Sequence, residues 1–81
     1  MKVTAYVTKP VPVEVEIDDR WKPMEFFADN QDWSSNEAQA YFDENVDAFE
    51  TDVIRALDES NEPSWNLGAV YTAAGNYIFE N

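Results

Sequence analysis

The chain has 81 residues, with 17 Asp and Glu against five Lys and Arg, so its net charge at pH 7 is −12. A polyanion of this density repels DNA, RNA and anionic membranes, and it attracts the proteins that bind them. The chain contains no Cys and no His, which excludes disulfides, thiolate metal sites and the usual general base of enzymes.

The length predicts a single domain that spans residues 1–81 and has little room for a deep active-site cleft. Three Trp, five Phe and four Tyr supply large apolar side chains, so the chain is expected to fold rather than to remain a disordered acidic tail. No apolar run approaches the length of a membrane span, and the first residues are too interrupted for a signal peptide. We therefore expect a cytoplasmic protein, located in the host cytoplasm if a phage carries the gene.

Two strands are predicted at the start of the chain, over residues 2–8 and 11–18. Both segments alternate apolar and polar residues and are rich in β-branched side chains, as half-buried strands are. In the second strand the outward residues are Glu14, Glu16 and Asp18. The Lys9-Pro10 step suits a hairpin connection, and Pro12 favours an edge strand or the first residues of a strand because it lacks a backbone donor.

The segment 19–34 is less regular. Pro23 suits the first turn of a short helix. The apolar residues of that helix would be Met24, Phe26 and Phe27. The polar stretch 29–32 is then predicted to be a loop. Ser34 and Glu37 have the spacing of a capping box, which predicts that a long helix begins there.

The segment 35–59 has the clearest helical periodicity. Its apolar residues recur every three or four positions and fall in one narrow sector of a helical wheel: Ala38, Phe42, Val46, Phe49, Val53, Ala56 and Leu57. Its acidic residues occupy the opposite arc: Glu37, Asp43, Glu44, Asp47, Glu50, Asp52, Asp58 and Glu59. The pattern predicts a strongly amphipathic helix of roughly six or seven turns.

Pro63 prevents this helix from continuing, and two further strands are predicted over residues 66–72 and 76–80, around a turn at 73–75. The residues of these strands expected in the core are Leu67, Ala69, Tyr71, Tyr77 and Phe79. The predicted fold is α+β in the order ββαββ, with an antiparallel sheet of about four strands covered by one long amphipathic acidic helix.

The charge of the long helix is unusual. Residues 23–81 hold thirteen acidic residues and one base, Arg55, so the whole net charge lies there. Most charged helix faces are simply solvated, and this remains the ordinary explanation. However, like charges adjoin around Asp47, where each pair costs ~0.2–0.5 kcal/mol. Asp58 and Glu59 also lie at the end of the helix that favours cations.

Carboxylates at helical spacing stand several ångströms apart in rows, as the phosphates of a nucleic-acid strand do. We therefore interpret the helix as a phosphate mimic that binds a basic nucleic-acid-binding protein or a nuclease complex, without direct contact to nucleic acid or membrane. The candidate partner-binding residues are Glu37, Asp43, Glu44, Asp47, Glu50, Asp58 and Glu59. Glu14, Glu16 and Asp18 either extend this surface or form a separate patch on the open face of the sheet.

The tryptophans Trp21, Trp33 and Trp65 border the irregular segments. Packing in the core or at its rim is the usual role of such rings. The alternative role is an interface anchor, and Trp33 is the best candidate because it lies in an acidic loop just before the long helix.

No catalytic, cofactor or metal site is predicted. The serines Ser34, Ser35, Ser60 and Ser64 have no His to activate them. The segment 43–47 matches the opening of a calcium loop, but Ala48 and Ile54 stand where Gly and Glu are required. The chain is therefore not expected to be an enzyme.

In size and charge the chain resembles the small acidic proteins that block nucleases, such as phage-encoded anti-restriction and anti-CRISPR proteins. This is a likeness of composition that carries no residues across. The alternative is a small acidic adaptor or regulatory protein that binds its partner through aromatic residues or a sheet edge. A self-associating domain, such as a homodimer, is a third interpretation that follows from the aromatic content.

Overall fold

The computed structural model describes residues 1–8, 11–61 and 67–80. In chain order its elements are β1 (Lys2–Thr8), β2 (Val11–Glu16), α1 (Lys22–Asp29), α2 (Asn36–Glu59), β3 (Ala69–Thr72) and β4 (Tyr77–Glu80). A turn of 3₁₀ helix, Asp19–Trp21, leads from β2 into α1. The strands pair in the order β2-β1-β3-β4, and every pair is antiparallel. This confirms the predicted α+β class, although the short α1 makes the order ββααββ rather than ββαββ.

The pairing of β1 with β2 follows the alternation in their sequences. Val3 lies opposite Val15 and Ala5 opposite Val13, so the apolar sides of both strands share one face of the sheet. β2 is an edge strand, as Pro12 predicts, because an edge position leaves one side of its backbone without a ladder partner. The predicted hairpin step at residues 9–10 lies outside the described residues.

In β3 the predicted inward face is wrong. Ala69 and Tyr71 were expected in the core, but Val70 and Thr72 are the fully buried residues. The reason is the pairing with β1, which sets Val70 opposite the buried Ala5 and therefore on the same face. A polar residue is tolerated there because the Thr72 hydroxyl donates a 2.7 Å hydrogen bond to the Asp29 carboxylate.

In β4 a bulge changes which residues face inward. The register pairs Val70 with Phe79 and Tyr71 with Tyr77, which leaves Ile78 as the extra residue. Consecutive residues Ile78 and Phe79 are consequently both buried, whereas Tyr77 is 49% exposed rather than in the core. The turn before this strand contains Gly75 with a φ of 92°, a conformation that favours glycine.

The helix α1 confirms the short helix predicted from Pro23, which lies in its first turn. Its Met24 is buried, but Phe26 is 59% exposed. The stretch after it is a turn, as predicted, in which Gln31 adopts a φ of 54°.

The helix α2 begins one residue later than the predicted capping box requires. Ser35, not Ser34, is the N-cap: its hydroxyl oxygen accepts a 3.1 Å hydrogen bond from the amide of Ala38. The same hydroxyl donates to the carbonyl of Asp32, which fixes Ser35 in the capping position. At ~1.5 Å per residue, the 24 residues of α2 extend for ~36 Å. This matches the longest dimension of the molecule, 36 Å.

Both helices cover the same face of the sheet, and their apolar residues form the core with it. Phe49 of α2 is fully buried and makes edge-to-face contacts with Trp21 at 5.5 Å and with Phe79 of β4 at 5.9 Å. The other inward residues of α2 are Ala38, Val53, Ala56 and Leu57, as predicted, whereas Phe42 and Val46 are half-buried at its edge. None of the described helices is long and apolar enough to cross a membrane.

Candidate functional site

The side of α2 that faces away from the sheet carries a row of carboxylates, which we call the acidic face. Its exposed members are Glu37, Asp43, Glu44, Asp47, Asp58 and Glu59, with the half-buried Glu50 at its border. They point outward because the core residues of α2 repeat every three or four positions and leave the opposite arc to solvent. From Glu37 to Glu59 the acidic face extends for ~33 Å at the rise of an α-helix.

The acidic residues around the first hairpin and the 3₁₀ turn stabilise the fold through specific contacts. Glu16 and Asp19 both bind the amino group of Met1, at 2.8 Å and 2.7 Å. Asp18 caps the 3₁₀ turn by accepting a hydrogen bond from the amide of Arg20. The hydrogen bonds of these carboxylates with backbone and terminal groups explain their positions without any binding partner.

The central carboxylates of the acidic face differ from those structural acids. In the described parts of the chain, no salt bridge involves Asp43, Glu44 or Asp47. Asp58 is not counted with these three residues, because it interacts with another group of the protein. The last turn of α2 contains no base that would complement the helix dipole. Folding contacts therefore do not account for the centre of the acidic face.

Asp52 was predicted in the outward acidic arc, and this is wrong. Its carboxylate accepts 2.7 Å hydrogen bonds from the indole of Trp21 and from the guanidinium of Arg20, and Arg55 lies 3.5 Å away. Burial raises the pKa of Asp52, but the hydrogen bonds and the two positive charges outweigh it, so the pKa lies below its usual value. The sequence feature that indicates this role is Trp21, because the N–H of a buried indole needs a hydrogen-bond acceptor.

The acids of the first hairpin divide between the two alternatives left open by the sequence: Glu14 forms a separate patch, whereas Glu16 and Asp18 line a cleft together with Glu59 of α2. Thr4 lies opposite both Glu14 and Tyr71 in the sheet, whereas its neighbours Val3 and Ala5 are buried under the helices. Glu14 therefore lies on the open face of the sheet, away from α2. It is also 3.7 Å from the ammonium group of Lys2.

The open face of the sheet presents a row of three tyrosines. Tyr6 and Tyr71 are in edge contact at 5.5 Å, and Tyr71 contacts Tyr77 at 5.9 Å. Tyr6 is 37% exposed and Tyr77 49% exposed. This row is an apolar surface on the side of the sheet opposite the helices. The sequence does not predict it, because the pattern of the last two strands indicates Tyr71 and Tyr77 as core residues.

Trp33 lies between the two helices and β4. Its indole N–H donates a 3.4 Å hydrogen bond to the carbonyl of Tyr77, and its ring contacts Phe42 at 5.4 Å and Phe27 at 5.9 Å. Trp33 is half-buried, so it packs at the rim of the core and also presents part of its ring to solvent. Trp21 is buried as predicted, and Trp65 lies outside the described residues.

A cleft of about 390 Å³ opens beside Trp33. We call it the aromatic cleft, and its lining residues are Trp33, Gln39, Phe42, Asp43, Tyr77 and Ile78. It adjoins the acidic face directly, because Asp43 belongs to both. The arrangement offers aromatic ring surface next to a carboxylate.

Comparison with known proteins returns no matching family model, no matching curated protein and no matching solved structure. The function is therefore argued from the residues and their geometry.

Proposed function

We propose that this protein inhibits a basic nucleic-acid-binding protein by occupying its binding channel, with the acidic face in the place of phosphates. The observation that carries the proposal is the contrast between two sets of acids. Those of the first hairpin and the 3₁₀ turn contact specific groups of the fold, whereas Asp43, Glu44 and Asp47 form no salt bridge in the described structure.

The dimensions of the acidic face suit this role. Its ~33 Å length is close to one turn of B-DNA, which is ~34–36 Å. Its seven carboxylates give about one charge per 5 Å, compared with one phosphate per ~3.4 Å along one DNA strand. A channel whose Lys and Arg side chains contact one turn of duplex is therefore long enough to accept α2, and long-range attraction would make the association fast and salt-sensitive.

The cost of the acidic face to folding also supports a role in binding. Asp47 has like-charged neighbours at helical spacing in Asp43, Glu44 and Glu50, and each pair destabilises the helix by ~0.2–0.5 kcal/mol. A surface that serves only solubility gains from mixed charges, because acid–base pairs at this spacing are attractive. Because the chain resembles phage-encoded anti-restriction and anti-CRISPR proteins in size and charge, nuclease complexes are the first partners to test.

The experiment is capture of the partner from host lysate on the tagged protein, followed by competition. The proposal predicts that the captured protein binds nucleic acid, elutes as salt is raised, and is displaced by a short DNA duplex or RNA. A captured partner that has no nucleic-acid site, or that resists both salt and nucleic acid, contradicts the proposal.

A second candidate function is that of an adaptor, and the tyrosine row of the open sheet face favours it. Such an interface would be driven by burial of aromatic surface and would depend little on salt. Replacing the exposed Tyr6 with Ser would then abolish binding, while neutralising Asp47 would leave it unchanged. The mimicry proposal predicts the reverse pattern for the same two variants.

A further inference from the structure

We propose that the aromatic cleft binds the side chain of an arginine on the partner protein. The inference rests on the proposed function in one respect: it takes the surface of the partner to be basic. It adds a specific contact to the diffuse attraction of the acidic face, and it assigns Trp33 and Asp43 to that contact.

The first argument is the shape and chemistry of the cleft. Trp33 and Phe42 contribute ring surface, and the hydrogen bond from the Trp33 indole to the backbone carbonyl of Tyr77 ties the Trp33 ring to β4. Its edge contact with Phe42 further restrains the indole. A planar cation stacks favourably on rings that are already held in place, because little side-chain freedom is lost on binding.

The second argument is charge. Of the described residues that line the cleft none is basic, and the polar ones are Gln39 and Asp43. The Asp43 carboxylate forms no salt bridge within the described chain. A guanidinium group can stack on a ring with its face while its N–H groups bind a carboxylate, a combination that a compact ammonium or a neutral side chain cannot provide.

The same chemistry links the cleft to the acidic face. Arginines in nucleic-acid sites stack on bases and bind phosphates. In the cleft an aromatic ring such as that of Trp33 takes the place of the base, and Asp43 takes the place of the phosphate beside it. The protein would therefore mimic both parts of a nucleotide at this point and phosphates alone along the rest of α2.

The test uses the isolated protein and short capped peptides, Gly-Arg-Gly, Gly-citrulline-Gly and Gly-norleucine-Gly, followed by ¹H–¹⁵N NMR. The Trp33 indole signal is assigned from its loss in Trp33→Phe. We expect the arginine peptide to shift this signal with a millimolar Kd and to leave the buried Trp21 indole unmoved. The citrulline peptide has nearly the same shape without the charge, and it should bind at least about tenfold more weakly, as should norleucine.

Two variants with the same change in net charge separate a local contact from general attraction. Asp43→Asn should weaken the arginine peptide roughly tenfold, whereas Asp47→Asn, which lies outside the cleft lining, should weaken it less than about twofold. Both carboxylates are exposed, so both variants should fold. Equal binding of citrulline or norleucine, equal effects of the two variants, or no shift with arginine would each overturn the inference.

This experiment is independent of the mimicry test. If the arginine peptide binds but the captured partner is not displaced by nucleic acid, the cleft remains an arginine site and the mimicry proposal fails. If nucleic acid displaces the partner but the peptide does not bind, mimicry stands without the cleft.

Discussion

Replacing Asp47 with Lys should stabilise the protein, because it converts repulsive pairs on the acidic face into attractive ones. Asp47 is exposed near the middle of α2, with Asp43 and Glu44 one turn before it and Glu50 one turn after it. Its backbone carbonyl accepts the hydrogen bond of the Thr51 hydroxyl, and the substitution leaves that contact in place. The change therefore acts on charge, whose effect salt screens, and adds a few tenths of a kcal/mol from the higher helix propensity of Lys, which salt does not screen.

The magnitude follows from the helical pairs. A like-charged pair costs ~0.2–0.5 kcal/mol and an opposite pair contributes a similar amount, so reversing one pair changes the free energy of unfolding by ~0.4–1 kcal/mol. One ammonium group contacts one carboxylate at a time and acts on the others through screened solvent. We expect a total of ~1–1.5 kcal/mol, which raises Tm by ~4–12 °C in a domain of this size.

The assay is thermal and urea unfolding followed by circular dichroism at about 20 mM and about 500 mM salt, since screening should reduce the gain. Asp47→Asn is the control: it removes the repulsion without adding attraction, and should give roughly half of the effect. An unchanged or lower Tm for Asp47→Lys at low salt would contradict a repulsive cost at this position. The acidic face would then cost the fold nothing and would need no function to explain it.

The remaining predictions concern contacts that the structure assigns to folding. Asp52→Ala leaves the Trp21 indole without its acceptor and should lower the free energy of unfolding by ~1–3 kcal/mol in urea titrations. Because the pKa of Asp52 is lower in the folded than in the unfolded protein, its contribution is complete above the unfolded value near ~4 and is lost as pH falls through the folded value. Asp52→Asn should remove that part of the acid dependence, and an unchanged acid transition would contradict the assignment. Ser35→Ala should lower the free energy of unfolding by ~1 kcal/mol, whereas Ser34→Ala should change it little. A lower Tm for Ser34→Ala than for Ser35→Ala would identify Ser34 as the N-cap instead.

The parts of the fold that the sequence predicts well are those with a strong local pattern. The seven apolar positions of α2 and the alternation around Val13 and Val15 identify one helix and two strands, because burial of one face imposes its period on the chain. The inward face of β3 is different, because the partner strand determines it. From residue type alone, Tyr71 is expected in the core and Thr72 at the surface. The register with β1 places Thr72 inside instead, and the Asp29 carboxylate accepts the hydrogen bond of its hydroxyl.

In the candidate site, too, the sequence predicts the features that depend on local spacing and not those that depend on distant contacts. The acids of α2 can be placed on one surface from spacing alone, with the exception of Asp52, whose partner Trp21 lies 31 residues earlier in the chain. Trp33 can be singled out from its position before the helix. The cleft beside it requires Tyr77 and Ile78, and β4 approaches Trp33 only in the folded molecule, so no local pattern reveals it.

The affinity of the captured partner for two double variants of equal net charge would locate the binding surface on the molecule. Glu44→Gln with Asp47→Asn alters the acidic face, whereas Glu14→Gln with Glu80→Gln alters exposed acids of the sheet. We predict that the helix variant binds roughly tenfold or more weakly with a flatter salt dependence, and that the sheet variant binds within about twofold of the original protein. Equal affinities for the two variants would contradict the claim that the acidic face of α2 is the binding surface.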